Sequence, residues 1–116
     1  MKKMLSIVTL LFISAHLYPE KALSEKDKIN ALLNFIESSN VIFIRNGSEH
    51  SSQEAKKHLS YKLSRAGSRI KTARQFINNI ASKSSWSGKP YYVKLSTGKK
   101  VKVEEWLNQK LISLEQ

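Results

Sequence analysis

The chain has 116 residues, 25% of them charged and 41% hydrophobic, with a formal net charge of +11 from 20 Lys or Arg against 9 Asp or Glu. That length suits one domain near the lower end of what can bury a self-sufficient core. The absence of cysteine excludes disulfide staples, the acylated cysteine of a lipoprotein, thiolate metal sites and thiol catalysis.

Lys2 and Lys3 precede an apolar run, Met4–Ile13. This is the pattern of a secretory signal, and the run is shorter than the about twenty residues a bilayer-spanning helix needs. Residues 1–22 therefore read as a signal peptide cleaved between Ala15 and Ala22. Residues 23–116 read as a single exported domain, periplasmic or secreted, with no transmembrane segment.

From Glu25 the apolar spacing is helical, through Ile29, Leu32, Leu33 and Ile36, with Ser24 and Asp27 placed as N-cap and N3 partner. Ser38-Ser39-Asn40 breaks that helix. Val41–Ile44 is a β-branched and aromatic run, short enough for a buried strand. Asn46-Gly47 is a turn signal, because both residues tolerate positive φ. Ser51 and Glu54 then form a capping box for a helix with Ala55, Leu59, Leu63 and Ala66 as its inner stripe, closed by Gly67. Ser68 is placed to cap a third helix with Ile70, Ala73, Phe76, Ile77, Ile80 and Ala81 inward. "SKSSWSGKP" over 82–90 is a loop, and 91–103 alternates around Thr97-Gly98 as a hairpin. Glu104 and Glu105 favour the dipole at the start of a last helix carrying Trp106, Leu107, Lys110, Leu111 and Leu114. The predicted order is αβααββα: an α+β domain of about four helices packed on a short antiparallel sheet.

His50, Glu54, His58 and Lys62 recur at four-residue intervals. On a helix His50 and His58 stand about 12 Å apart along the axis, too far for one metal ion, so no metal site is expected. Glu54 and His58, at i and i+4, are candidates for acid–base chemistry; the plainer alternative makes Glu54 a cap and His58 and Lys62 a polar border of the core. In "SSWSGKPYY", Ser85, Ser87, Gly88 and Lys89 are candidates for an anion-binding backbone nest. Trp86, Tyr91 and Tyr92 would offer a flat contact surface beside it. Ser68-Arg69-Ile70-Lys71 matches an S-x-x-K pattern, but its companion motifs are missing. Between Glu54 and Glu104 there is no acidic residue and there are thirteen Lys or Arg. A field of that sign attracts polyanions.

"FIRNG", Glu54-Ala55, His58-Leu59, Lys62, "RIKTARQFI" and "IASKSSWSGKPY" occur in this order. Together they resemble the YfeK-like proteins, small exported bacterial proteins classed as a domain of unknown function. The resemblance runs from about Lys28 to Leu111. It implies a periplasmic location and one compact domain, and it marks Arg45, Asn46, Gly47, Glu54, His58, Lys62, Arg69, Ser84, Ser85, Ser87, Gly88 and Tyr91 as matching positions. It brings no activity and no cofactor with it.

The expectation is a non-enzymatic, envelope-associated domain whose basic surface meets an anionic envelope component. Arg45, Lys62, Arg69, Ser85, Ser87, Lys89 and Tyr91 are the candidate binding residues. Nucleic acid is the less fitting partner for an exported protein. The alternatives are a small hydrolase or transferase using Glu54 and His58, and an accessory subunit of another envelope protein.

Overall fold

The structure, a computed structural model, describes residues 22–116. The expected signal peptide lies outside the described residues except for Ala22. Helix α1 spans Glu25–Ser38, strands β1 and β2 span Ile42–Arg45 and Ser48–His50, and helix α2 spans Ser52–Ala66. A 3₁₀ turn at Gly67–Arg69 leads to helix α3, Ala73–Gln75, which widens into a π-helical turn over Phe76–Ala81. Strands β3 (Tyr92–Lys94) and β4 (Lys100–Lys102) and helix α4 (Val103–Glu115) complete the fold. The four strands are antiparallel in the order β2-β1-β3-β4. The molecule is an α+β domain of four helices on a short antiparallel sheet, as the periodicity predicts, with β2 as an added strand.

Both predicted capping boxes are present. Ser24 accepts from Asp27 N and Ser51 from Glu54 N, and each acidic side chain returns to its cap's backbone. The expected cap at Ser68 is not formed. Thr72 caps α3 instead, in a complete box with Gln75. The reason is local: three residues after Ser68 stands Lys71, which cannot accept the reciprocal bond, whereas Thr72–Gln75 supplies the acceptor a box requires.

β2 escaped the hydrophobic pattern because Ser48, Glu49 and His50 are polar and half-exposed or exposed. It pairs through register with β1, His50 opposite Phe43 and Ser48 opposite Arg45. The Asn46-Gly47 turn that connects the two strands has φ of 51° and 80°, as that turn signal anticipates. β2 and β4 are the sheet edges, and their polar and basic side chains discourage pairing with another chain.

The core gathers α1, α2, α3 and α4 against β1 and β3. Leu32, Ile36, Leu59, Phe76, Ile77, Val93 and Leu107 are fully buried. Two details fix how α2 and β1 meet. Ser52, 2% exposed, takes the Val41 N–H at 2.9 Å and donates to the Val41 carbonyl at 3.0 Å, locking the start of α2 to the start of β1. Along β1 the period of two places Val41, Phe43 and Arg45 on one face; Val41 and Phe43 are buried there, so Arg45 stands where that buried row ends.

Replacing Thr72 by Ala removes the cap of α3 and is expected to destabilise the protein by about 1 kcal/mol, whereas Ser68→Ala leaves the urea midpoint unchanged. Equal effects of the two substitutions would contradict this assignment.

Candidate functional site

α2 supplies one wall of a cleft of about 380 Å³. His58 and Lys62, one turn apart, border its buried Ala55/Leu59 stripe and face Arg45 at the end of β1. Arg45 Nη1 lies 2.8 Å from His58 Nδ1 and 3.0 Å from Nε2. A guanidinium has no acceptor, so the imidazole must offer it a lone pair and is neutral. Tyr91 closes the base. Its ring is buried against Phe43, 5.1 Å between centroids, while its hydroxyl shares a 3.2 Å hydrogen bond with His58 Nε2. Lys62 Nζ donates to that hydroxyl at 3.1 Å and to the Lys83 carbonyl at 3.0 Å, and lies 4.9 Å from the Tyr91 ring centroid.

The electrostatics of this group are one-sided. Burial, then the charges of Arg45, Lys62 and His50, push the His58 pKa down to about 4. Burial and then Arg45 push Lys62 down to about 8. Burial raises Tyr91, with Arg45 acting in the opposite direction. Among the described residues the ion pairs with carboxylates are made by Lys28, Lys56 and Lys94, all outside this cleft. Arg45 and Lys62 are thus two half-buried cations without a carboxylate partner.

The opposite wall is the 83–90 loop, organised around one buried hydroxyl. Ser84, 4% exposed, accepts from the backbone N–H of Trp86 and of Ser87 at 3.2 Å each, and from Asn46 Nδ2 at 3.3 Å. The Ser84 carbonyl takes the Gly88 N–H at 2.9 Å, Ser87 Oγ takes the Lys89 N–H at 3.2 Å, and Ser87 donates its hydroxyl proton to Asn46 Oδ1. Asn46, from the β1–β2 turn, thereby pins this loop beside Arg45. The amides of Trp86, Ser87, Gly88 and Lys89 are occupied within the loop.

The remaining sequence candidates divide. Ser85 lines the cleft with Arg45, His58, Lys62 and Tyr91. Ser87 acts through Asn46, and exposed Lys89 does not line the cleft. Arg69 caps the end of α2, donating to the carbonyls of Ala66 at 3.0 Å and Arg65 at 3.4 Å, and lines a neighbouring cleft of about 400 Å³ with Lys62 and Ser85. The carboxylate of Glu54 accepts the Ser51 N–H at 2.9 Å, a bond that holds its pKa below the usual value; His58 bonds to Arg45 and Tyr91 instead. The expected flat aromatic surface is split up: Tyr91 is buried, Lys100 Nζ lies 4.5 Å from the Tyr92 ring centroid, and only Trp86 stands free at 89% exposure.

Sequence reasoning passed over Tyr61, 60% exposed on the outer ridge of α2, and weighed His50 only as a metal ligand, whereas its Nε2 is sealed from solvent with no hydrogen-bond partner among the described residues. Both line the cleft. The available signal for Tyr61 was an aromatic placed off the apolar stripe of its helix. No group of three or more His, Asp or Glu side chains among the described residues is arranged to hold a metal ion, and no helix among them is long and apolar enough to cross a membrane.

The sequence profile of the Family of unknown function (DUF5329) matches residues 23–115. The Salmonella typhimurium protein whose name reads "Uncharacterized protein YfeK" is 41% identical over 92 residues, covering 78% of this chain and 77% of that one, which bears out the resemblance seen in the sequence. No solved structure matches significantly.

Because the folded-state pKa of His58 lies below its ordinary 6.5, the unfolded chain takes up that proton first. The stability this group contributes is complete above pH 6.5 and is lost as pH falls toward 4. Urea midpoints measured across that window should fall, and His58→Gln should remove part of the fall.

Proposed function

We propose that this chain, which belongs to the DUF5329 family of unknown function, is an exported, non-enzymatic domain that binds an anionic component of the bacterial envelope in the Arg45/Lys62 cleft. The observation that carries this reading is the pair of half-buried cations with no carboxylate partner among the described residues. A buried charge is normally compensated. Here the groups that contact Arg45 and Lys62 are an imidazole, a phenol and a carbonyl, all neutral. An arriving carboxylate or phosphate supplies the missing countercharge, gains charge-assisted hydrogen bonds and raises the lowered pKa of Lys62 back toward its ordinary value. The surrounding excess of Lys and Arg adds long-range attraction.

Export is supported by the basic n-region and apolar run of residues 2–13. A non-catalytic role is supported by the bonding of the acid–base candidates. Glu54 is held at the N-terminus of α2, and His58, surrounded by cations, is a weak base.

The test is titration of the protein with lipopolysaccharide, anionic vesicles, peptidoglycan, DNA and a neutral polymer, at low and at physiological salt. Binding to at least one anionic envelope component should survive physiological salt. Lys62→Met should weaken it at least tenfold, as expected for a charge-assisted bond of about 1.5–3 kcal/mol. The same substitution should leave the melting temperature unchanged or raise it, because it removes an uncompensated cation. Binding should also decline as pH rises through about 8, where Lys62 loses its proton. Loss of all binding at physiological salt would reduce the interaction to bulk charge and contradict the reading.

A further inference from the structure

The Arg45/Lys62 cleft does not stand alone. A second cleft of about 470 Å³, lined by Lys57, His50 and Glu54, joins it on the side of the α2 N-terminus. The cleft of about 400 Å³ beside Arg65 and Arg69 joins it on the other. Tyr61 lines all three, Arg45 and His58 are shared by the first pair, and Lys62 and Ser85 by the second. The three are segments of one groove along α2; from Lys57 to Ala66, where the helix ends, it runs about 14 Å at the helical rise, and Arg69 in the following turn borders that end.

Five cations line it: Lys57, Arg45, Lys62, Arg65 and Arg69. Among the described residues its one carboxylate, Glu54, sits at an end and is bound to Ser51. Two aromatic rings are left in solvent along the same path, Tyr61 at 60% and Trp86 at 89% exposure. Tyr61 is steadied by Arg65, which donates to its hydroxyl at 3.3 Å.

We infer that the groove binds an acidic polysaccharide, a chain of sugar rings bearing carboxylates, with the Arg45/Lys62 pair as its central subsite. This rests on the anion-binding reading above and adds the form of the ligand. A single small anion engages only the middle of the groove and leaves Lys57, Arg65 and Arg69 unused. On α2 Lys62 and Arg65, three residues apart, stand about 5–6 Å from one another at Cβ, a spacing suited to one charge per ring of a uronic-acid chain, while Arg45 and Arg69 reach the groove from β1 and from the turn after α2. The apolar face of a sugar ring stacks on an exposed aromatic, and its hydroxyls meet Ser48 and Ser85 in the central segment. A bare polyphosphate has no ring for Trp86 and Tyr61, and a bilayer surface cannot enter a groove.

Oligogalacturonates of one to eight sugars serve as the probe, with a methyl-esterified octamer, polyphosphate and oligothymidylate of matched length beside them. Affinity should rise at least tenfold from the monomer to the tetramer and then level off as the groove fills. The double substitution Arg65→Met, Arg69→Met should remove most of that rise while leaving monomer binding intact, whereas Trp86→Ala, in the central segment, should weaken binding at every length. If the monomer binds as tightly as the octamer, the extended groove is overturned and the Arg45/Lys62 site stands. If oligothymidylate or polyphosphate binds more tightly at matched length, the saccharide assignment is overturned. If no anion of any length binds, the central site falls with it.

Discussion

The cleft depends on a cluster in which charge is crowded rather than balanced. Arg45 and Lys62 approach a single imidazole and a single phenol, and among the described residues no acidic group pairs with either. Packing imposes the arrangement. Arg45 ends the buried face of β1, Lys62 borders the buried stripe of α2, and the phenol that Lys62 and His58 bond to belongs to a tyrosine 1% exposed in the core. Ser52 ties α2 to β1 at its beginning, so the cations cannot separate without disturbing that junction. The cost appears in the depressed basicity of His58 and Lys62. Natural proteins tolerate such local conflicts chiefly where function requires them.

The loop over 83–90 follows the same logic. It is rich in serine and glycine, a composition that ordinarily signals mobility, yet the buried Ser84 hydroxyl and the Asn46 amide fix it across the cleft. Serine is required at position 84 because one small group must accept several N–H donors without solvent. The loop presents Trp86 to solvent from a rigid base, which suits a contact residue better than a flexible strand of chain would.

Much of the fold was legible because its local rules agree with one another. The capping boxes at Ser24 and Ser51, the break at Asn40 and the turn at Asn46-Gly47 are decided within a few residues, and all appear as read. β2 was not legible, since an edge strand facing solvent carries no apolar alternation. Ser68 was mistaken for a cap because hydroxyl type alone was considered, without the acceptor three positions later that Thr72 possesses. The candidate site was half legible. The four-residue spacing of Glu54, His58 and Lys62 marked the right helix, but its chemistry depended on partners from β1 and from the turn before β3. Sequence spacing could not place Arg45 against His58 or show that Glu54 would turn back to Ser51. The serine loop was recognised from its composition, but that composition could not show that the amides of residues 86–89 would bond within the loop.

The central claim is that an anion completes the Arg45/His58/Lys62/Tyr91 cluster, and His58 reports on it directly. NMR titration of the His58 imidazole, with and without an excess of a small carboxylate or phosphate, would measure the effect at the site itself. The account predicts a pKa near 4 in the free protein that rises when the anion is present, because a negative charge among these cations favours the imidazolium. A His58 that titrates at its ordinary 6.5 and does not respond to anions would contradict it.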